Sequence, residues 1–199
     1  MGMDHKKRRE RRAALMSDLD RELPPSPPCP EAELGERVVE WALAEWKKGV
    51  KEPAKKTTEG PILGYIHAAG WGWIKDYQNR KFAWCGCFAS AAWASVGLKS
   101  KIAAKNVVST YRLSQWKGRQ IPLDEIRAGD LVVIGSQKRW GDHITLAVEP
   151  LGGGSWATVE GNAWGRGPDG ERFEGVIRRE RSAKEIRFSY RPLISDLEK

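Results

Sequence analysis

From Trp84 to Gly97 the chain carries no charged residue, and that stretch constrains its fold more than any other. At helical spacing Cys85, Phe88, Ala89, Ala92 and Val96 share one stripe, while the opposite side (Cys87, Ala91, Ala94) is small and uncharged. A helix apolar all round is enclosed by the rest of its protein. The other residues therefore have to build layers around it. A chain of 199 residues suits one domain with a tail and leaves room for a sizeable core. Its 40% hydrophobic and 30% charged residues are the balance of a soluble globular protein.

Residues 1–30 do not read as part of that fold. A basic run, Lys6 to Arg12, leads into Leu23-Pro24-Pro25-Ser26-Pro27-Pro28-Cys29-Pro30, and proline at this density is extended. This predicts a basic, flexible arm over 1–30 and a folded domain over 31–195. No apolar segment follows the basic run and no stretch of 18 apolar residues exists, so neither a secretory signal nor a transmembrane helix is expected. Within the domain, Leu34, Val38, Trp41, Ala42 and Trp46 recur at helical spacing until Gly49. Residues 61–70 form a short helix with proline at its start and glycine at its end. Another helical stretch covers roughly 102–116. From Leu131 the pattern changes to short β-branched runs, 131–134, 144–148, 156–160 and 175–178, separated by turn residues. Helices first and strands second predict an α+β fold, with helices packed on an antiparallel sheet.

Subtracting 26 acidic from 34 basic residues leaves a charge of +8, which favours anionic partners. No Gly-rich phosphate loop, zinc-finger spacing or RNA-binding aromatic motif accompanies it, so nucleic acid is not expected as a partner. Three cysteines are too few for a disulfide framework, and an odd number cannot pair off internally. Indoles are unusually frequent. Trp71, Trp73, Trp140 and Trp164 lie beside glycines in loops and are assigned, with Trp84, to the walls of a groove.

Cys85 stands at the first turn of the enclosed helix, where unpaired N–H groups and nearby cations favour a thiolate. A nucleophilic thiol needs a base. His5 lies in the arm and His67 on a helix among small residues, whereas His143 begins a strand, on the side opposite Ile144, Leu146 and Val148. If Pro150–Ser155 is a hairpin loop, 149 pairs with 156, which sets Asn162 across from His143 and Glu160 on the diagonal. A thiol, an imidazole and an orienting polar group are the parts of thiol acyl transfer. A zinc site of Cys85, Cys87 and His143 is disfavoured, because Cys-x-Cys on a helix points the two sulfurs apart.

Trp84-Cys85-x-x-Phe88, then Gly129-Asp130-Leu131-Val132-Val133-Ile134, Gly141-Asp142-His143-Ile144-Thr145-Leu146-Ala147-Val148 and Glu160-Gly161-Asn162, resemble the CHAP family of cysteine, histidine-dependent amidohydrolases/peptidases. Glu59 to Ile66 is similar to the segment that precedes the catalytic helix in some members. The resemblance spans roughly residues 33–180 and implies a papain-like enzyme that cuts an amide of bacterial peptidoglycan, as endopeptidase or N-acetylmuramoyl-L-alanine amidase. It implies Cys85 as nucleophile, His143 as general base and acid, Glu160 as the residue orienting the imidazole, and Asn162 as a second polar partner. The oxyanion would be held by the Cys85 N–H and one donor among Tyr77, Gln78 and Asn79. No cofactor is implied, and without an acidic loop like the calcium site of some members no metal is expected. Departures are Asp142 before the histidine, where glycine is common, and Cys87 at a position usually given to a small residue. A chain made in the bacterial cytoplasm without a signal would reach the wall as a phage lysin (an endolysin), a virion-borne hydrolase or an injected toxin. Anionic wall polymers or virion proteins would be its further partners. The competing reading is a papain-like interaction protein that binds wall or virion components without cleaving.

Overall fold

The computed structural model describes residues 30–53, 60–70, 83–98, 107–116, 119–135 and 143–197. Helix α1 spans Pro30–Lys47, α2 Pro61–Ala68, α3 Cys85–Ala94 and α4 Thr110–Ser114. The strands are β1 (Gln120–Ile121), β2 (Leu131–Ile134), β3 (His143–Gly152), β4 (Ser155–Arg166), β5 (Arg172–Arg181) and β6 (Ile186–Tyr190). They form one sheet in the order β1-β6-β2-β3-β4-β5, with each neighbouring pair antiparallel. This is an α+β fold. No described helix is long and apolar enough to cross a membrane.

Local chemistry accounts for the helix ends. Pro30 opens α1, Glu31 and Glu33 lie in its first turn and Lys47 in its last, each on the favourable end of the dipole. Gly49 stops it at φ 65°. The sheet is covered on two sides. Leu131, Val133, Ile144, Leu146, Val159 and Val176 join Val38, Ala42, Ile66, Phe88 and Ala92 of the helices in the main core. Val132, Ile134, Ala147, Trp156 and Ile186 form a smaller cluster with Ile126. All four residues of β2 are therefore buried, which is why it reads as an unbroken apolar run.

The enclosed helix is tied at both ends. Trp93, near its C-terminus, donates its indole N–H to the Gly129 carbonyl at 3.0 Å. That turn is itself held by Arg191, whose guanidinium forks the Asp130 carboxylate at 2.8 and 2.7 Å. At the other end α3 rests on β4 where the strand has no side chain. A Cβ on Gly161 would stand 2.5 Å from Phe88 Cβ and 2.6 Å from Trp84 Cζ3.

Several strand boundaries differ from the sequence expectation. The runs at 144–148, 156–160 and 175–178 are the buried centres of longer strands, β3, β4 and β5. The ends of β5 carry exposed charges such as Arg172, Arg178, Arg179 and Glu180, and ladder pairing with β4 rather than hydrophobicity keeps them extended. The chain after α1 blunts part of that edge: Val176 N–H donates to the Val50 carbonyl at 2.9 Å and Glu52 N–H to the Glu174 carbonyl at 2.7 Å. Strand β6 went unforeseen and inserts between β1 and β2. The hairpin also differs. Its turn is only Gly153-Gly154, both at positive φ as a tight primed turn requires, and two bulges on β3 set Glu149 against Ala157 rather than Trp156. The shorter turn and the bulges offset each other, so Leu146 still meets Val159 and Ala147 meets Thr158. Of the stretch expected to be helical over 102–116, α4 is helical with Ser109 capping Arg112 N–H at 3.4 Å; residues 102–106 lie outside the described ones, as does the arm.

Gly161→Ala should lower the stability to urea unfolding by about 1–3 kcal/mol, because the added methyl overpacks the seat of α3. An unchanged midpoint and slope would show that the helix does not depend on this contact.

Candidate active site

The seat on Gly161 carries Cys85, the first residue of α3, to the start of β3. His143 lies beside the Cys85 thiol, near enough for each to shift the other's proton affinity. Its Nε2 lies 3.0 Å from Glu160 Oε2. An ionised carboxylate only accepts, so Nε2 carries a proton and Nδ1 is the nitrogen left for the sulfur. The structure thus brings Cys85, His143 and Glu160 into one chain, with His143 17% exposed at its side chain and Glu160 wholly buried.

A carboxylate without solvent needs partners, and Glu160 has three hydrogen bonds besides His143, from Thr158 and Arg181. Thr158, two residues back on the same side of β4, donates its hydroxyl to Oε1 at 2.7 Å. Arg181, the last residue of β5, donates Nε to Oε1 and Nη2 to Oε2, both at 2.7 Å. It also donates Nη1 to Glu185 Oε1 at 3.0 Å. Ser182 N–H and hydroxyl hold the other Glu185 oxygen at 2.9 and 2.8 Å. Neither Arg181 nor Thr158 was singled out from the sequence. Arg181 sits in an Arg-Arg-Glu-Arg run that reads as a solvated face, and only the β4–β5 pairing turns it inward.

Each shift in proton affinity has a cause in this chain. Burial works against the charge of Glu160, yet His143 and Arg181 overcome it and hold the carboxyl down at about 2. Burial likewise opposes the imidazolium, but Cys85 and Glu160 on either side of the ring raise His143 to about 9. Burial would push the Cys85 thiol up; His143 and the N–H groups of Ile144 and Gly86 reverse that and lower it. The pair therefore favours thiolate and imidazolium. Cys87, two residues on, is buried in the core, and burial first, then the Cys85 charge, pushes its thiol up to about 12. It is a packing residue. Among the described residues no three His, Cys, Asp or Glu side chains are placed to hold a metal.

Two sequence assignments need correction. Asn162, expected across from His143, instead serves the helix. The β3–β4 ladder runs only as far as Leu146↔Val159, and β4 then bulges, with Asn162 at φ 57°. Its Oδ1 accepts the Trp84 N–H at 2.8 Å and its Nδ2 donates to Glu174 Oε1 at 3.3 Å. Asn162 thus pins the residue before Cys85, while the diagonal Glu160 takes the imidazole. Trp84, assigned to a groove wall, is fully buried. Preceding α3 turns its ring onto Tyr65, 6.0 Å away, and its Nε1 donates to Glu52 Oε2 at 3.4 Å. Trp164 is 56% exposed and lines a depression of about 290 Å³ with Pro53, Phe173, Lys51, Arg172 and Glu174. Trp71, Trp73, Trp140, Tyr77, Gln78 and Asn79 lie outside the described residues, and His67 is exposed on α2, with no place in this chain of groups.

Alkylation by iodoacetamide checks the thiol assignments. Cys85 should react with a midpoint below the ordinary thiol value of 9.0, and Cys87 should stay inert until the pH approaches about 12. Equal reactivity of the two would remove the case for an activated Cys85. No protein-family model, no curated protein and no solved structure matches the chain.

Proposed function

We propose that this chain is a papain-like, cysteine-dependent amide hydrolase that cleaves bacterial peptidoglycan. The observation that carries the proposal is the Cys85–His143–Glu160 chain: a thiol with lowered proton affinity beside an imidazole whose far nitrogen is held by a buried carboxylate. A protein that only binds has no use for an ionised thiol beside an imidazolium, which argues against the non-catalytic reading. The family resemblance of the four motifs supplies the substrate class, and the charge of +8 suits an anionic wall.

The reaction follows from the groups present. The Cys85 thiolate attacks the amide carbonyl, and the Cys85 N–H is proposed as one donor to the resulting oxyanion. Trp84 N–H is already engaged by Asn162 and is not that donor. The C–N bond then breaks while imidazolium Nδ1–H protonates the departing amine, leaving a thioester and neutral His143. Nδ1 next takes a proton from water, whose oxygen attacks the thioester. The carboxylate product leaves, and Cys85 and His143 return to thiolate and imidazolium. Glu160 keeps Nε2 protonated throughout and stabilises the positive ring.

Zymography on purified cell walls tests the proposal: wild type should clear the wall and Cys85→Ala should not. Clearing by the alanine variant, or none by the wild type on walls of any chemotype, overturns it. Rates should follow a bell in pH. The acid limb marks protonation of Cys85, and the alkaline limb marks loss of the His143 proton near about 9, well above an ordinary imidazole. An alkaline limb at 6.5 would contradict the assigned charge state. Glu160→Gln should cost roughly tenfold more activity than Asn162→Ala, about 1.4 kcal/mol of barrier, because Glu160 touches the imidazole and Asn162 acts only through the backbone at Trp84. The reverse order in wall-hydrolysis rates would make Asn162 the imidazole's partner.

A further inference from the structure

We propose that Arg181 is a positioning residue of this site, clamping the Glu160 carboxylate toward His143 and setting the pH range over which Cys85 and His143 carry their charges. The inference rests on reading Cys85 and His143 as the reacting pair. It adds a fourth member that no motif supplied.

The geometry is that of a clamp rather than of an incidental ion pair. Arg181 faces Trp156 in the ladder, four residues along β4 from Glu160, so its side chain runs back along the strand to reach the carboxylate. It ends in a two-point bond, Nε to Oε1 and Nη2 to Oε2, with only 12% of its side chain exposed. A planar fork of this kind fixes the plane of a carboxylate, which a single contact does not. Thr158 braces the same Oε1 from the strand itself. Oε2 is thereby shared between Arg181 at 2.7 Å and His143 at 3.0 Å. Glu185 holds the outer side of the guanidinium, and Ser182 holds Glu185, so the clamp is anchored in the β5–β6 turn.

The charges of the described residues in this chain alternate: Cys85 from α3, His143 from β3, Glu160 from β4, Arg181 from β5 and Glu185 from the β5–β6 turn. Without Arg181, the whole charge of Glu160 would act on His143 and, beyond it, on Cys85. Removing a cation raises the proton affinity of every titrating group that it faces, and removing an anion lowers it. Arg181 thus keeps the imidazolium from binding its proton too tightly to pass it to a leaving amine, and helps keep Cys85 ionised toward acid pH. A purely structural guanidinium would change how much active protein forms and leave both titrations where they were.

The experiment follows two profiles against pH: alkylation of Cys85 by iodoacetamide in a Cys29→Ser background, and hydrolysis of purified walls. In Arg181→Met the alkylation midpoint and both limbs of hydrolysis should move up by about half to one pH unit. Arg181→Lys, which keeps the charge and loses the fork, should return the midpoints toward wild type while kcat stays reduced. Glu185→Gln covers the case in which Arg181→Met does not fold: it removes an anion at the exposed end of the clamp, and the midpoints should move down by a smaller amount. Midpoints that stay at the wild-type pH in Glu185→Gln and in any folded Arg181→Met overturn the inference, as does Arg181→Lys shifting as far as Arg181→Met. Shifted alkylation midpoints in a protein that hydrolyses no wall support the clamp and refute the proposed substrate instead.

Discussion

Everything at the site depends on how closely α3 approaches β4. Two layers of side chains normally separate a helix from a sheet, and here one of them is missing at Gly161, where Phe88 and Trp84 lie against bare backbone. That approach brings the first turn of α3 down to the level at which β3 begins, so the thiol of Cys85 meets the imidazole of His143 and the N–H of Ile144. The same bulge that follows Gly161 turns Asn162 to positive φ and lets its amide take up the Trp84 N–H. Strain at Asn162 and the missing side chain at Gly161 therefore serve one purpose, which is to fix where the helix starts. Trp93 and the Gly129 turn hold its far end, so neither sliding nor tilting of the helix is free.

Electrostatics then build outward from the sulfur. A lone buried carboxylate at Glu160 would protonate and stop orienting the imidazole. The guanidinium of Arg181 and the hydroxyl of Thr158 prevent this by filling the carboxylate's remaining lone pairs. Charges of alternating sign from α3 to the β5–β6 turn leave each buried group next to an opposite one. The surroundings of Cys87 are the contrast: two residues along the same helix, burial and then the charge of Cys85 make its thiol reluctant to ionise. Environment separates two cysteines that the sequence places almost side by side.

Much of this was legible in the chain of residues. The enclosed helix, the short strands after Leu131 and the single strand-borne histidine are local patterns, and local patterns follow from side-chain periodicity. The motif wording also pointed to Glu160 over Asn162 as the imidazole's orienting partner, although simple strand counting set Asn162 directly opposite. Strand counting could not see the bulges at Val148, Leu151 and Gly161-Asn162, because a bulge depends on what packs against it. Nor could residue type reveal that Trp84 is core, since an indole beside a thiol at a helix start suits a groove wall as well as a seat.

What the sequence determined by itself was the set of chemical parts and the elements that carry them: a thiol at a helix start, an imidazole at a strand start, and a carboxylate on the next strand. Only the tertiary structure decided how those parts are held. Arg181 becomes a partner of Glu160 because β5 pairs with β4 in one register, and Asn162 becomes a brace for α3 because β4 bulges beneath it. Both are long-range consequences of sheet pairing. Periodicity reports which face a residue prefers, whereas the partner it finds there is set by strands and helices distant in sequence.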